Sequence, residues 1–118
     1  MNNTVLYCRT ANSDKSVLES QLKSLYQYGR MNGYEPNTEY CDWNESGLTL
    51  DRPSMQKLLA DIRAGEVKRI IVKNLSRFSR NLFHINELNH LFCEHDVEVV
   101  SVNDGGVIDM TGPILNVV

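Results

Sequence analysis

Residues 69–81 read Arg69-Ile70-Ile71-Val72-Lys73-Asn74-Leu75-Ser76-Arg77-Phe78-Ser79-Arg80-Asn81, an unbroken apolar run that passes into a polar stretch carrying two arginines. A strand wet on one face alternates apolar and polar side chains. RIIVK does not alternate, so it reads as a strand covered on both faces, the pattern of a parallel sheet. Outward from it, strands and helices take turns. Upstream, Thr4 to Cys8 reads as a strand, and a helix from Val17 to about Met31 carries Val17, Leu18, Leu22, Leu25 and Tyr28 at helical spacing before Gly33 ends it. TEYCD, Thr38 to Asp42, is a second strand, followed by the loop WNESGLTLD with Ser46-Gly47. Pro53 then occupies a favoured first helical position, Met55, Leu58, Leu59 and Ile62 form an apolar face, and Gly65 stops the helix. Downstream, a helix is expected from about Arg80 to Glu94 with Leu82, Phe83, Ile85, Leu88, Leu91 and Phe92 as its apolar positions. A last strand, Val97 to Val102, leads into the turn Asn103-Asp104-Gly105-Gly106. This alternation, with right-handed crossovers, predicts an α/β fold: a mainly parallel sheet of about four to five strands with helices on both faces, a Rossmann-like three-layer arrangement.

The 118 residues fit one domain, and no apolar run approaches the ~20 residues that cross a bilayer. MNNTVLYC has no signal-peptide pattern, and Cys8, Cys41 and Cys93 form no CxxC pair, which suits a reducing compartment; a cytoplasmic location is expected, with no membrane partner. A net charge of −3 argues against a surface that grips nucleic acid all over. The cations are concentrated instead: Lys68, Arg69, Lys73, Arg77 and Arg80 crowd together, a local cationic site on an acidic domain.

In open α/β sheets ligands bind beyond the carboxyl ends of the strands. Arg9 follows the first strand there, Asp42 and Ser46 the second, Arg77 and Arg80 the third, and Asp104 the fourth. If the following helix has begun by Arg77, the two arginines share its first turn, where the positive helix end disfavours them by about 0.3–1 kcal/mol each. A locally unfavourable placement of this kind points to an anion site suited to phosphate. The alternative is that both pair with surface carboxylates. Arg9 and Arg52, at another strand end and helix start, favour a clamp of four arginines. His90, Cys93 and His95 do not match a zinc spacing, so no metal is expected. No GxGxxG or GK[ST] motif is present, so no nucleotide cofactor is expected either. Asp104-Gly105-Gly106 reads as a plain turn more readily than a phosphate cradle, and Trp43 as loop packing more readily than a DNA-stacking platform.

Taken together, Tyr7-Cys8-Arg9-Thr10-Ala11, Gln21, the block Asp42 to Gly47, Asp51-Arg52-Pro53, Leu58-Leu59, Gly65 and Val72 to Asn81 resemble the catalytic domain of serine recombinases, the resolvase, invertase and serine-integrase family. The resemblance covers nearly the whole chain in order. It implies that residues 1–118 are a recombinase catalytic domain, ending where the family begins a long oligomerisation helix that leads to a separate DNA-binding domain. By the resemblance a short helical start is expected from about Pro113, with Ile114, Leu115, Val117 and Val118 exposed. In the family a serine two residues after the first-strand arginine attacks a DNA phosphodiester, leaving a 5′-phosphoseryl link and a free 3′-hydroxyl. Dimers and tetramers on DNA then exchange and reseal strands. Carried onto this chain, Arg9, Arg52, Arg77 and Arg80 would hold the DNA phosphate, and Gln21 and Ser46 would support nucleophile and arginines. Asp42 would orient an arginine or take part in proton transfer. Ser76 stands where smaller members often carry an aspartate. The nucleophile position is Ala11, whose methyl group has no lone pair, so the chain is expected to be cleavage-dead, whether by an engineered substitution or as a natural inactive relative; Ser13 would serve only after a two-residue slip in register. The other reading is a noncatalytic DNA-bound or oligomerisation module derived from the same fold.

Overall fold

Tyr7, Ile70, Ile71, Val72, Val99 and Val100 are all completely buried, because the strands that carry them lie in the middle of the sheet with helices on both faces. The computed structural model describes residues 3–108. Its main elements are β1 (Thr4–Thr10), α1 (Lys15–Met31), β2 (Pro36–Trp43), α2 (Pro53–Arg63), β3 (Arg69–Val72), α3 (Leu82–Glu94), β4 (Glu98–Ser101) and β5 (Gly106–Val107), with short 3₁₀ turns at Leu75–Arg77 and Val102–Asp104. The strands run in the order β2-β1-β3-β4-β5, parallel except for β5, which pairs antiparallel with β4.

Successive side chains of a strand point to opposite faces, so each central strand feeds two cores. Val5 and Tyr7 of β1 join Met55, Leu58 and Ile62 of α2 and Ile85, Leu88 and Phe92 of α3. Leu6 and Cys8 face the other way and pack with Leu25 of α1, flanked by Leu18 and Leu22. The expected three-layer arrangement is therefore present: α1 on one face, α2 and α3 on the other.

The punctuation of the chain follows local chemistry. Gly33 and Gly65 take φ of +77° just past α1 and α2, a left-handed conformation that a Cβ disfavours. Gly105 and Gly106, at φ of +97° and +96°, turn the chain back so that β5 can lie antiparallel, while Asp104 Oδ2 accepts from Ser101 Oγ at 2.6 Å and from the Leu75 N–H at 3.0 Å.

The third helix differs from expectation. It begins at Leu82 rather than Arg80, because Asn81 is its N-cap, its Oδ1 accepting from the Phe83 N–H at 2.8 Å. Leu75–Arg77 closes a separate 3₁₀ turn, and the Ser79 hydroxyl, completely buried, accepts from the Asn81 N–H at 3.0 Å. Arg77 and Arg80 thus precede the helix and share no helical face, so the helix-dipole argument for their pairing falls away. The helix expected from about Pro113 lies outside the described residues. Among the described residues no helix is long and apolar enough to cross a membrane, and no group of three or more His, Cys, Asp and Glu side chains is placed to hold a metal ion.

Candidate active site at the carboxyl ends of β1 and β3

β1 outruns its neighbour. β3 pairs with Thr4 to Tyr7 only, and the chain then leaves the sheet, so the end of β1 has no strand on that side. Gln21, buried on α1, fills the gap: its Nε2 donates to the Arg9 carbonyl and its Oε1 accepts from the Arg9 N–H, both at 3.3 Å, as a neighbouring strand would. Past Thr10 the backbone is held by short side-chain bonds. Thr10 Oγ1 accepts from the Asn12 N–H at 2.9 Å, Asn12 Oδ1 from the Asp14 N–H at 2.7 Å, and Asp14 caps α1 through the Ser16 N–H at 2.9 Å. Ala11 is exposed at the start of this turn.

Arg9 and Arg52 are only 1% and 0% exposed, and their guanidinium groups are spent on backbone carbonyls and, for Arg52, the Tyr7 hydroxyl as well. Arg9 donates from Nε to Arg77 O at 3.0 Å, from Nη1 to Glu45 O at 3.1 Å and from Nη2 to Ser76 O at 2.9 Å. Arg52 donates from Nε to Thr49 O at 2.9 Å, from Nη1 to the Tyr7 hydroxyl at 2.7 Å and Arg77 O at 3.2 Å, and from Nη2 to Phe78 O. Between them they hold the stretch 76–78 in place, helped by Phe78, whose ring stacks on Tyr7 at 5.7 Å between centroids.

Tyr7 continues the chain of bonds. It donates to Asp42 Oδ2 at 2.8 Å, and Asp42 in turn accepts from the Ser54 and Met55 N–H groups, both at 2.9 Å. Arg52, at the N-cap position of α2, offers no side-chain cap, so Asp42 caps the helix from the neighbouring strand. Asp42 is thus linked to Arg52 through the Tyr7 hydroxyl. Tyr7 was missed as a site residue. Its sequence signal is a phenol two residues before Arg9 on the same face of a buried strand, since a buried tyrosine hydroxyl needs a polar partner.

Ser46, Gly47 and Arg80 form the open part of the site. The Glu45 N–H donates to Thr10 O and the Arg80 N–H to Gly47 O, both at 2.9 Å, stitching the 44–50 loop to the ends of β1 and the 75–80 segment. A cleft of about 470 Å³ opens there, lined by Ala11, Glu45, Ser46, Gly47, Leu48 and Arg80. The Ser46 hydroxyl is occupied locally, accepting from the Leu48 N–H at 3.1 Å. Ser76 contributes its carbonyl to Arg9, while its hydroxyl bonds Asn74. Arg77 faces a neighbouring cleft on the α1 side. The sequence-predicted residues therefore converge, but in two layers: Arg9, Arg52, Gln21 and Asp42 form a buried frame, and Ala11, Ser46, Arg77 and Arg80 lie at its surface.

Electrostatically the site gathers four arginines without a direct ion pair to a carboxylate among the described residues. Burial first, and then the neighbouring Arg52, Arg77 and Arg80 against a smaller opposing effect of Tyr7, lower the Arg9 guanidinium to about 10. Arg77 is lowered too, first by burial and then by Arg80. The ion pairs among the described residues are Lys57–Asp61 and Arg69–Glu98, so none of the four arginines is paired with a carboxylate. Among the described residues no surface carboxylate pairs with Arg77 or Arg80. An anion arriving here would relieve this mutual repulsion.

Gly47 is a pivot of the arrangement. A Cβ at this residue would sit 2.7 Å from Arg9 Nη2 and 3.1 Å from Arg80 Cγ. Arg9 has little freedom to give way, since its donors are tied to carbonyls. Gly47→Ala is expected to cost about 1–3 kcal/mol of stability, measured by urea denaturation, as overpacking does. A change below about 0.5 kcal/mol would show that the guanidinium moves aside freely.

The Resolvase, N terminal domain, family model matches residues 4–117. The transposon Tn917 resolvase of Enterococcus faecalis is 28% identical over 98 residues, covering 83% of this chain and 48% of the relative, so the chain spans about half the length of the curated relative it matches. Among solved structures, the N-terminal catalytic domain of TP901-1 integrase superposes with a TM-score of 0.81 at 25% identity, covering 86% of this chain and 79% of the other. A serine recombinase from Sulfolobus solfataricus gives 0.77 at 29% identity, covering 87% and 69%. The C-terminal catalytic domain of ISC1926 TnpA, an IS607-like serine recombinase, gives 0.77 at 26%, covering 84% and 66%.

Proposed function

This chain belongs to the serine recombinase family through the resolvase N-terminal catalytic domain, and on that premise we propose that the cleft at Ala11 receives a phosphodiester of a DNA strand in site-specific recombination. The observation that carries this reading is the lining of one cleft by Ala11, two residues past Arg9, together with Arg80, while the Arg9 guanidinium lies just behind Gly47. In the proposed reaction a serine hydroxyl at position 11 would attack phosphorus and lose its proton, the 3′-oxygen would leave as a hydroxyl, and the 5′-phosphate would stay bonded to the serine. Negative charge on the nonbridging oxygens would meet Arg80 and Arg77, while Arg9 and Arg52 hold the segment that presents them. With Ala11 the covalent step has no nucleophile, so the chain as it stands binds the phosphate without cleaving. Residues 1–118 are read as one catalytic domain that acts in dimers and tetramers on DNA, with no cofactor. Ala11 itself favours a second reading, in which the domain serves as a noncatalytic DNA-bound or oligomerisation module.

Substitution of an exposed cleft arginine tests the phosphate assignment. In an Ala11→Ser background, Arg80→Ala is expected to slow covalent attachment to DNA by about 10²–10³-fold, the usual cost of removing one preorganised donor to developing negative charge. Rates within a factor of about three of each other, followed by single-turnover quenching in denaturant, would remove Arg80 from the site.

A further inference from the structure

Ser79 is completely buried and His84, on the first turn of α3, is half-buried. The Ser79 hydroxyl has three polar neighbours: it accepts from the Asn81 N–H at 3.0 Å, it lies 3.3 Å from the Gly47 carbonyl oxygen, and it lies 3.0 Å from His84 Nδ1. A hydroxyl carries one proton and two lone pairs. The Asn81 N–H can only donate and the Gly47 carbonyl only accept, so the ring nitrogen alone has a choice of role. Without a proton, Nδ1 would compete with Gly47 for the single Ser79 hydrogen, and the loser would face a lone pair in a buried place. With a proton on Nδ1 all three contacts are made at once. The other ring nitrogen has no partner among the described residues, so no protein group there draws the proton away.

The link matters because of what Gly47 touches. Its carbonyl also accepts from the Arg80 N–H at 2.9 Å, and a Cβ on it would meet Arg9 Nη2 at 2.7 Å and Arg80 Cγ at 3.1 Å. A shift of this one residue therefore moves the rim of the cleft against both arginines. We propose that His84 is a positioning residue: its Nδ1–H donates to the Ser79 hydroxyl, which then spends its only proton on the Gly47 carbonyl and fixes Gly47 and Arg80 at the rim of the Ala11 cleft. His84 does not line the cleft, so it acts through Ser79. Its part in the reaction rests on the reading of the Ala11 cleft given above, whereas the hydrogen-bond link to Gly47 does not.

Two readouts test the proposal. The first is the His84 ring in the ¹⁵N-labelled 118-residue chain: long-range ¹H–¹⁵N correlation of the neutral imidazole is expected to show the proton on Nδ1, and a proton on Nε2 would overturn the proposal. The second is covalent attachment to DNA by a full-length protein that carries this domain, with Ala11→Ser, together with a DNA-binding domain. There His84→Leu, which keeps bulk and loses the donor, is expected to slow the single-turnover step about tenfold, the worth of one hydrogen bond, with DNA affinity unchanged to within about twofold. His84→Asn, whose amide can place an N–H where Nδ1 stood, should restore the rate to within about threefold. In a Ser79→Ala background His84→Leu should have no further effect, because the two act as one unit. Equal rates in His84→Leu and His84→Asn, a loss carried by DNA affinity instead of rate, or additive losses with Ser79→Ala would each overturn the positioning role. No attachment by the Ala11→Ser protein itself would overturn the reading of the Ala11 cleft, and the ring proton would still decide the link to Gly47.

Discussion

In a full-length protein that carries this domain together with a DNA-binding domain, Ala11→Ser is expected to give a protein–DNA link that survives denaturant and is released by protease, where the Ala11 form is expected to bind DNA without one. The contrast should be all or none. A methyl group at position 11 has no electron pair to attack phosphorus, so its replacement by a hydroxymethyl creates the covalent path rather than tuning a rate. Loss of a clamp arginine raises a barrier and leaves the path in place, which is why the Arg80→Ala effect is finite. Ser13→Ala in the Ala11→Ser background should change the yield little, because Ala11 and not Ser13 lines the cleft with Arg80. The Ser13 carbonyl instead accepts from Trp43 Nε1 at 3.2 Å, which ties that turn to the end of β2. An adduct formed by the Ala11 protein and abolished by Ser13→Ala would place the nucleophile at Ser13 and overturn the register assigned here.

Arg52→Met should be the most destabilising single change in the frame, by about 3–5 kcal/mol, read from the urea midpoint at unchanged slope. Methionine fills much of the volume but leaves the Thr49 and Phe78 carbonyls and the Tyr7 hydroxyl without the donor they now have. Each such orphan costs about 1–3 kcal/mol when buried. Arg52→Lys should not rescue, since an ammonium cannot reach carbonyls on several sides as the planar fork does. Tyr7→Phe should cost less, about 1–3 kcal/mol, because Asp42 keeps its bonds to the Ser54 and Met55 N–H groups. The double variant should fall short of the sum by about 0.5–3 kcal/mol, as members of one network do. Additive losses would mean that Tyr7 and Arg52 act independently.

Much of the architecture was legible because it is encoded at short range. The unbroken apolar run at Ile70 to Val72 announces a strand covered on both faces, and all three residues are buried. Pro53 and Gly65 bracket α2 where proline and glycine chemistry places them. The start of α3 was misread although its signal was local: Asn81 is a strong N-cap, but the expectation let the arginines before it belong to the helix.

By itself, then, the sequence determined the alternation of strands and helices and the gathering of Arg9, Arg52, Arg77 and Arg80 at strand ends and helix starts. Both follow from side-chain period and turn chemistry within a few residues. Only the tertiary structure decided which arginines build the site and which face a ligand. Arg9 finds its acceptor on Arg77, 68 residues away, and Arg52 reaches the same carbonyl across 25. Apart from the Tyr7 hydroxyl, their partners are backbone carbonyls, which every residue carries, so no residue type in the sequence marks those. Burial there satisfies two guanidinium groups mainly with main-chain oxygens, and it leaves Arg77 and Arg80, with no ion-pair partner among the described residues, as the site arginines that line the clefts.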